Sequence, residues 1–429
     1  MTETATLFSN VNILDGTGAQ PFRGDVLVRG NRIEKIARAE QGALPREAAD
    51  AVVDGGGSAT LMPGLCDAHT HMTWTNGDSL HATTAMPIEE HLLLTIDNAR
   101  TYLDCGFTMC VGAASAKPRL DVVIRDAVNS GRIPGPRMLA SGMEIATTGA
   151  DVNPSLTADG VDEIRKTVRQ VCKLGVNTIK LSLSGEQITG SALNHETFFT
   201  DDEVAVAVEE ATRRGVRVAA HARNETSIKM CVRHGVNIIY HASFTDEETL
   251  DMLEAAKDRV FVAPGFAWLV MTCYHAADWG VSPEAARKMG YYHELECAIE
   301  SMKKMHKRGI RVLPGGDYGF AWTPHGTYAK DFEYFVDLLG FSPMETIVAA
   351  TRLGGEIMGD PNNLGLVQEG YLADLLLLDG DPLRDITMLQ DRDNLLAIMK
   401  DGSFHKAPAA IARRPAAEPA REPVGFVAA

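Results

Sequence analysis

The sequence lacks features that would point to a membrane, secreted or nucleic-acid-binding protein. It has no run of about 18 apolar residues that could form a membrane-spanning helix. The N-terminus, MTETATLFSNVNILDG, lacks the basic start and apolar stretch of a secretion signal. Positive charge is scarce, because 41 Lys and Arg face 57 Asp and Glu and the net charge is −16. We therefore expect no nucleic-acid and no membrane partner. A cytoplasmic location is predicted, with a mature protein whose leader was removed as the alternative.

Paired cysteines are also missing. The seven cysteines form an odd set, and no two of them have the spacing of a C-x-x-C motif. Such a set predicts neither a disulfide framework nor a zinc site built from thiolates. We interpret these cysteines as reduced residues of the protein core.

The two ends of the chain share a β-rich texture that the middle does not have. Residues 1–63 show short alternating apolar runs broken by Gly and Asn, and the same pattern returns in residues 361–405. We predict that these two segments pair into one small β-sandwich. Residues 406–429 are rich in Ala, Pro and Arg and predict an irregular C-terminal extension, either packed on a neighbouring subunit or mobile. We expect a homo-oligomer.

Residues 64–360 alternate apolar, strand-like runs with amphipathic helical stretches. Repeated βα units predict a parallel sheet, and eight of them in about 300 residues fit a closed (β/α)8 TIM barrel. A doubly wound open sheet is the alternative, but it would need a glycine-rich phosphate loop after its first strand, and the sequence has none. The predicted strands are 65–72, 107–113, 137–145, 177–184, 217–222, 237–242, 260–265 and 311–316, and helices are predicted over 201–215, 227–235 and 246–259.

Metal-ligating residue types lie at the ends of several predicted strands. The first strand ends in DAHTH, and because residues i and i+2 of a strand point to one face, His69 and His71 can hold one ion together. His221, His241 and Asp317 end the fifth, sixth and eighth strands. Each residue alone could be an ordinary core histidine or turn aspartate. Together they would all face the C-terminal mouth of a barrel, where active sites of this architecture lie.

Lys180, in the fourth strand, is the unusual member of this set, because an ammonium group would repel a cation. It becomes a ligand if it is deprotonated and reacts with CO2, which gives a carbamate whose oxygens can bridge two ions about 3.5–4 Å apart. Neutral imidazoles suit zinc and similar metals. The sequence therefore predicts two divalent metal ions, with zinc favoured, and N-carboxylation of Lys180.

These motifs resemble the amidohydrolase superfamily. More narrowly, the chain resembles the imidazolonepropionase-related branch, which includes Xaa-Pro and Xaa-Arg dipeptidases and the amidohydrolases that cleave ochratoxin. The resemblance covers about residues 5–405 and rests on VDGGGSATLMPGLCDAHTHM, NTIKLSLSG, AAHARN, IIYHAS, LPGGDYG and GLVQEGYLADLLLLDGDPL. It implies that one ion is bound by His69, His71 and Asp317. The other would be bound by His221 and His241, with carboxylated Lys180 as the bridge.

The function predicted on this basis is hydrolysis of the amide bond in N-acyl amino acids or dipeptides, including ochratoxin-type substrates. Asp317 is expected to take a proton from the attacking water and return it to the leaving nitrogen, and Tyr240 to hydrogen-bond the developing oxyanion. Residues 265–280 are rich in Trp, Met, Phe and Tyr and predict an apolar loop over the site, which favours a bulky or aromatic substrate group. A substrate carboxylate would need a cationic or donor-rich anchor. The candidates are His325 first, then Arg223, His275 and His293.

Two other functions are compatible with parts of this pattern. Ring opening of a cyclic amide, as in imidazolonepropionase, is one, but those single-metal relatives lack the bridging lysine, so Lys180 argues against it. A non-catalytic metal-binding or scaffold protein is the other. It would be expected to lack a ligand or the base, and all six residues are present.

Overall fold

The computed structural model describes residues 4–150, 154–189, 193–410 and 412–413. The strands are β1 (Ala5–Ile13), β2 (Phe22–Arg29), β3 (Arg32–Arg38), β4 (Ala51–Asp54), β5 (Thr60–Pro63), β6 (Leu65–Thr70), β7 (Phe107–Gly112), β8 (Arg137–Leu139), β9 (Glu144–Ala146), β10 (Ser155–Thr157), β11 (Thr178–Ser182), β12 (Arg217–Ala222), β13 (Ile238–His241), β14 (Phe261–Ala263), β15 (Leu375–Leu378), β16 (Leu395–Lys400), β17 (Ser403–Lys406) and β18 (Ala412–Arg413).

The helices are α1 (Leu80–Ala85), α2 (Ile88–Asp104), α3 (Leu120–Asn129), α4 (Gly160–Lys173), α5 (Asp201–Thr212), α6 (Glu225–His234), α7 (Glu247–Ala255), α8 (Phe266–Tyr274), α9 (Pro283–Lys288), α10 (Tyr291–Lys307), α11 (Lys330–Asp337), α12 (Pro343–Ala350) and α13 (Arg352–Ile357). Within the described ranges, no helix combines the length and the apolar character needed to cross a bilayer.

The two ends of the chain meet in one mixed sheet. Its strands run in the order β17-β16-β15-β5-β1-β2-β3, with β4 and β18 beside this path. A register shift between Phe8 and Val11 divides β1, so that its first half pairs with β4 and its last residues pair with β5. Apolar side chains of β2 and β15, including Val26 and Leu375, share one buried core. The two terminal segments thus pair in a single continuous sheet, and their packing as a sandwich stays a prediction.

The C-terminal extension predicted over residues 406–429 is not wholly irregular, because Lys406 ends β17 and residues 412–413 form β18. Ala412 pairs with Val52 and Arg413 with Ala51, which adds β18 antiparallel to β4. Residues 411 and 414–429 lie outside the described part of the chain, so the prediction for them stays a prediction.

The middle of the chain forms two parallel sheets, ordered β10-β9-β11-β12-β13-β14 and β6-β7-β8. Side chains from β6, β7, β12, β13 and β14 meet in a common core that includes Ala68, Ala219 and Tyr240. Val218 and Ala220, the neighbours of Ala219 along β12, belong instead to the larger core under the helices. This alternation follows from the two-residue period of a strand. It gives the sheets an inner face below the functional site and an outer face packed on helices.

The predicted eighth strand, residues 311–316, is not a regular strand. Its backbone nevertheless forms hydrogen bonds to a strand on each side. Leu313 N donates to Val262 O of β14 at 2.9 Å, and Ala68 N of β6 donates to Pro314 O at 3.0 Å. The segment therefore lies between β14 and β6. Regular pairing ends because Pro314 has no N–H to donate and two glycines follow it.

The predicted strand 137–145 is split into β8 and β9. The break comes where Ser141 N and Gly142 N both donate to the buried carboxylate of Asp121, each at 2.8 Å. Since these amides bond to a side chain, they are not available to a neighbouring strand. After the break, β9 pairs with β10 and β11, which brings Glu144 next to Lys180.

Candidate functional site

Two clusters of metal-ligating side chains line one cavity. The cavity has a volume of about 460 Å³ including its open mouth. Within each cluster the ligand atoms all lie within 4.8 Å of one another, and all six residues are buried. The clusters are His69, His71 and Asp317, and Glu186, His221 and His241. The rings of His69 and His241 are 5.0 Å apart, so the two clusters are adjacent.

The first cluster joins the end of β6 to the loop after residue 316. His71 Nε2 lies 3.1 Å from Asp317 Oδ1, and His69 Nε2 lies 3.9 Å from the same oxygen. Burial lowers the pKa of His69 well below its usual value. Burial alone would raise the pKa of Asp317, but the neighbouring histidines hold it below its usual range. A neutral imidazole and a carboxylate are the protonation states that bind metals.

The backbone around Asp317 is shaped for this position. A Cβ added to Gly315 would lie 2.5 Å from the backbone nitrogen of His69, so a larger residue cannot sit there without moving the strand. Asp331 fixes the turn, because its carboxylate accepts Gly315 N and Ala267 N, each at 2.9 Å. Asp317 itself has a φ of 61°. Such a left-handed non-glycine residue costs about 1–3 kcal/mol and is typical of functional sites.

The second cluster lies at the ends of β12 and β13. The rings of His221 and His241 are 4.5 Å apart, and burial lowers the pKa of both well below the usual value. His241 has a φ of 71°, another strained position. A Cβ on Gly265 would lie 3.0 Å from His241 Nδ1, so glycine at this position leaves space for the ring.

Lys180 lines the same cavity and is 2% exposed. Its Nζ lies 3.6 Å from Glu144 Oε2 and 4.7 Å from the ring centre of Tyr240. Burial lowers the pKa of the Lys180 ammonium, although the Glu144 carboxylate opposes this effect. A lowered pKa increases the share of neutral amine, the form that reacts with CO2.

Glu186 is a site residue that the sequence analysis missed. It lies in the loop after β11, and its position after the C-terminal end of a strand is the signal that could have identified it.

The carboxylate of Glu186 forms an ion pair with Arg223, which was predicted to bind a substrate carboxylate. Arg223 is instead 1% exposed, and its Nη1 lies 2.5 Å from Glu294 Oε1. With two carboxylates already bound, Arg223 is not placed to be a substrate anchor.

Tyr240 does not have the position predicted for an oxyanion donor. Its ring stacks on His69 with centroids 4.1 Å apart, and its hydroxyl points to Gly112 O at 3.5 Å. The side chain belongs to the inner core of the sheets and does not line the cavity. Tyr240 lies opposite His221 in the pairing of β12 and β13, so the two residues share a face, and the Tyr240 ring packs in the inner core below the site. His241 reaches the cavity through its left-handed backbone, with a φ of 71°.

The three predicted histidine anchors also lie outside the cavity lining. His325 Nδ1 is 3.1 Å from Tyr328 Oη, and its Nε2 is 3.1 Å from Trp74 O, so both ring nitrogens have protein partners. Burial lowers the pKa of His325 to about 4, which leaves the ring uncharged at neutral pH. His275 and His293 are exposed. The structure therefore does not support these residues as carboxylate anchors.

The aromatic segment 265–280 was predicted as a loop, but its first half is helix α8. An apolar run without Pro or Gly between residues 266 and 274 can continue as a helix, and it packs on the core. Trp268 reaches the cavity, whereas Tyr274 and Trp279 are exposed. The apolar part of the cavity wall is formed by Trp74, Leu80, Ile188, Trp268 and Phe320.

The donor set of the cavity fits divalent cations. Each cluster combines two imidazoles with one carboxylate, a ligand set that suits zinc and related first-row metals. The Nδ1 atoms of His69 and His71 are buried and have no hydrogen-bond partner among the described residues. Buried polar atoms without partners are costly, and a bound cation would orient these rings.

Comparison with known families agrees with this chemistry. The sequence profile of the amidohydrolase family matches residues 60–404. The chain belongs to the amidohydrolase family. This amidohydrolase is 25% identical to the ochratoxinase of Aspergillus niger over 433 aligned positions, which cover 92% of this chain and 85% of ochratoxinase. A 66-residue stretch, 15% of this chain, is 39% identical to part of the imidazolonepropionase of Rubrobacter xylanophilus.

Solved structures show the likeness over nearly the whole chain. A prolidase in complex with N-methylphosphonate-L-proline superposes on this amidohydrolase with a TM-score of 0.83 at 26% identity, covering 94% of this chain and all of the prolidase. The A. niger ochratoxinase structure gives a TM-score of 0.82 at 22% identity, covering 95% of this chain and 97% of ochratoxinase. The predicted resemblance to the superfamily and to this branch is confirmed.

Proposed function

We propose that this amidohydrolase is a metal-dependent enzyme that cleaves the amide bond of N-acyl amino acids or dipeptides carrying a bulky or aromatic group. The observation that carries the proposal is the meeting of two histidine and carboxylate clusters in one buried cavity, with Lys180 in its wall. Similarity to a protein named ochratoxinase and to a prolidase supports this class of substrate.

The proposal includes a closed eight-stranded TIM barrel as the frame of the site. Residues 311–316 connect β14 to β6 through backbone hydrogen bonds. On the other side, Ala140 O, just after β8, accepts Asn177 N at 2.7 Å and Thr178 N at 3.2 Å, which links β8 to β11. These bonds support closure, and closure would hold all the site residues at one mouth.

Two divalent ions are expected here, with zinc favoured by the imidazole ligands. His69, His71 and Asp317 would hold one ion, and His221 and His241 would hold the other. When bound, such ions act as Lewis acids and lower the pKa of water. Lys180 is proposed to add its neutral amine to CO2 with loss of one proton, and the resulting carbamate would supply two oxygens between the clusters.

Asp317 is the residue proposed to move the proton. Its carboxylate lines the cavity and is held deprotonated by the adjacent histidines. It accepts a proton from the water that attacks the carbonyl carbon, and it returns that proton to the leaving nitrogen as the C–N bond breaks. The products are a carboxylic acid and an amine.

The cavity wall supports selection of the substrate by its apolar bulk. Leu80, Ile188, Trp268 and Phe320 contribute apolar surface, and among the described lining residues Lys180 is the one cationic side chain. A bulky apolar group therefore gains more from burial here than a small polar one, about 25 cal/mol per Å² of apolar surface removed from water.

The test is an assay of the purified, metal-loaded protein against N-acyl amino acids, dipeptides and lactams. Fastest hydrolysis of N-acyl derivatives of Phe or another bulky apolar residue would support the proposal. A preference for lactams would replace it with the cyclic-amide function. No hydrolysis of any class by the metal-loaded protein would contradict it.

A further inference from the structure

Glu186 has a position that the ligand set implied by the family leaves unexplained. One of its carboxylate oxygens lies within 4.8 Å of ligand nitrogens of both His221 and His241. The residue is buried, and it lines the same cavity as those two histidines. The family resemblance assigns only the two histidines and Lys180 to that ion, so the extra carboxylate has no role yet.

Two buried side chains, Arg223 and Tyr291, fix the position of the Glu186 carboxylate. Arg223 pairs with Oε2, and the hydroxyl of Tyr291 donates to Oε1 at 3.1 Å. Ile188 N also approaches Oε1, at 3.5 Å. One oxygen of this fixed carboxylate lies within 4.8 Å of the ligand nitrogens of His221 and His241. Ligating carboxylates are commonly hydrogen-bonded in this way by a supporting layer, which fixes their direction.

Arg223 is itself fixed by a second buried acid. Glu294 is 0% exposed and accepts the Arg223 guanidinium at 2.5 Å, the Ser243 hydroxyl at 2.6 Å and the Asn194 amide at 3.0 Å. Arg223 and Glu294 would balance each other without Glu186. Arg223 thus faces two carboxylates with one positive charge, and one of the two, that of Glu186, lines the cavity of the histidines.

The balance of charge in the site also favours a bound cation. Four carboxylates, those of Glu144, Glu186, Glu294 and Asp317, lie with the two basic side chains Lys180 and Arg223. With the imidazoles counted as neutral, negative charge is in excess. Buried charge without a counter-ion is costly, so this arrangement favours a bound cation next to Glu186.

We propose that Glu186 is a third protein ligand of the ion held by His221 and His241. The inference rests on the proposed metal dependence and goes beyond it. Two imidazoles and one carboxylate form a set that binds a divalent first-row metal without help from a bridging group. The second ion is therefore held even when Lys180 is not carboxylated, and Arg223 and Tyr291 act as positioning residues for Glu186.

The experiment is a Co²⁺ titration of chelator-treated full-length protein, followed by calorimetry and by the visible absorption of bound Co²⁺. Wild type is expected to bind two ions. Glu186→Gln keeps the side-chain shape but removes the charge, and it should weaken one of the two sites by more than about a hundredfold, because loss of a supporting residue alone costs about 10- to 100-fold. The absorption of that site should change as well.

Two further variants make the result specific. Tyr291→Phe keeps the carboxylate and removes one hydrogen bond to it, so the same site should weaken by about tenfold. It serves as the test if Glu186→Gln does not fold. Glu210→Gln is the matched control: Glu210 also pairs with arginines, but it lies outside the cavity lining, and both sites should keep their affinity.

The outcomes separate the two proposals. If wild type binds no Co²⁺, the proposed metal dependence fails, and this inference fails with it. If wild type binds two ions and both Glu186→Gln and Tyr291→Phe bind them with unchanged affinity, Glu186 is not a ligand, while the proposed function stands. Unchanged metal binding with a raised KM only for substrates that carry a free α-amino group would show that Glu186 binds the substrate ammonium instead.

Discussion

Asp331 tests how the fold positions the turn that carries Asp317, the residue proposed to move the proton. Its buried carboxylate accepts Ala267 N and Gly315 N, each at 2.9 Å. One bond fixes the start of α8, which carries Trp268. The other fixes the glycine turn that presents Asp317. Replacing Asp331 with Ala leaves both amides buried without an acceptor, so it should reduce both stability and turnover.

The magnitude follows from the two lost bonds. An unsatisfied buried N–H costs about 1–3 kcal/mol, so the gross loss is about 2–6 kcal/mol. Burial also raises the pKa of Asp331 to about 7, which shows that the carboxylate is itself costly to keep in this place. That cost disappears in the variant, so the net loss is smaller than the gross loss, about 1–4 kcal/mol. Domains of ordinary stability, about 5–15 kcal/mol, remain folded after such a loss.

Turnover should fall as well, because a displacement of about 1 Å at a catalytic group can cost about a hundredfold. Urea unfolding measures the stability of Asp331→Ala, and kcat/KM on the best substrate measures the positioning. Asp25→Ala is the matched control. Asp25 is also buried and also accepts two backbone amides, Asn10 N and Leu44 N, each at 2.8 Å, but it lies in the terminal sheet.

The control should lose similar stability and keep its kcat/KM. Wild-type stability in Asp331→Ala would refute the hydrogen-bond argument. Reduced stability with unchanged turnover would show that Asp331 supports the fold without positioning Asp317.

Three further predictions concern single side chains. Asp317→Asn should keep the fold and lower kcat by about 10²–10⁴-fold, the usual contribution of a general acid or base. Steady-state kinetics measure this, and a change in KM alone would contradict the proposed role. Lys180→Ala should abolish turnover although each cluster keeps three protein ligands, and a short carboxylic acid should partly restore activity in steady-state assays, whereas full activity without it would exclude the bridge. The pKa of His325 is about 4 in the folded protein and 6.5 in the unfolded chain. Between these pH values only the unfolded state binds the proton. The free energy of unfolding of the wild type should therefore fall as the pH drops from 6.5 to 4. Urea unfolding of the metal-free His325→Asn variant at several pH values should show that its free energy of unfolding changes less with pH than that of the wild type, by up to about 1.4 kcal/mol per pH unit. The same pH dependence in both proteins would contradict the low pKa of His325.

Much of the site was predictable because strand geometry fixes which side chains share a face. His69 and His71 are two residues apart on one strand, so their shared face follows from periodicity. His221 and His241 end neighbouring parallel strands, which brings them to one mouth, but the left-handed backbone of His241 is needed to turn its ring toward His221. The alternation of βα units likewise predicted eight strands, of which six match a strand of the structure within one or two residues, whereas 137–145 is split and 311–316 is not a regular strand.

Residues in loops could not be predicted in the same way. Glu186 follows β11, and its direction is set by Arg223 and Tyr291, which come from distant parts of the chain. His275 and His293 were chosen by residue type, but His275 lies just after the end of α8 and His293 on the outer face of α10, and both are exposed. Long-range contacts decided these cases, and no local pattern in the sequence records them.

The pattern of apolar residues also did not predict where the backbone departs from regular strands and loops. Residues 137–145 have the apolar character of one strand, yet the carboxylate of Asp121 takes two of the amides and divides it. Residues 265–280 have the composition of a cover loop, yet their first half forms α8. Composition shows that such segments are buried, but it does not determine their hydrogen-bond partners.

The central claim is that a buried metal centre performs the hydrolysis. The most direct measurement is the metal content of the purified protein by inductively coupled plasma mass spectrometry, taken with its hydrolysis of N-acyl amino acids before and after treatment with a chelator. We predict two divalent ions per chain, loss of hydrolysis when they are removed, and recovery on adding Zn²⁺. Full hydrolysis by metal-free protein would contradict the account.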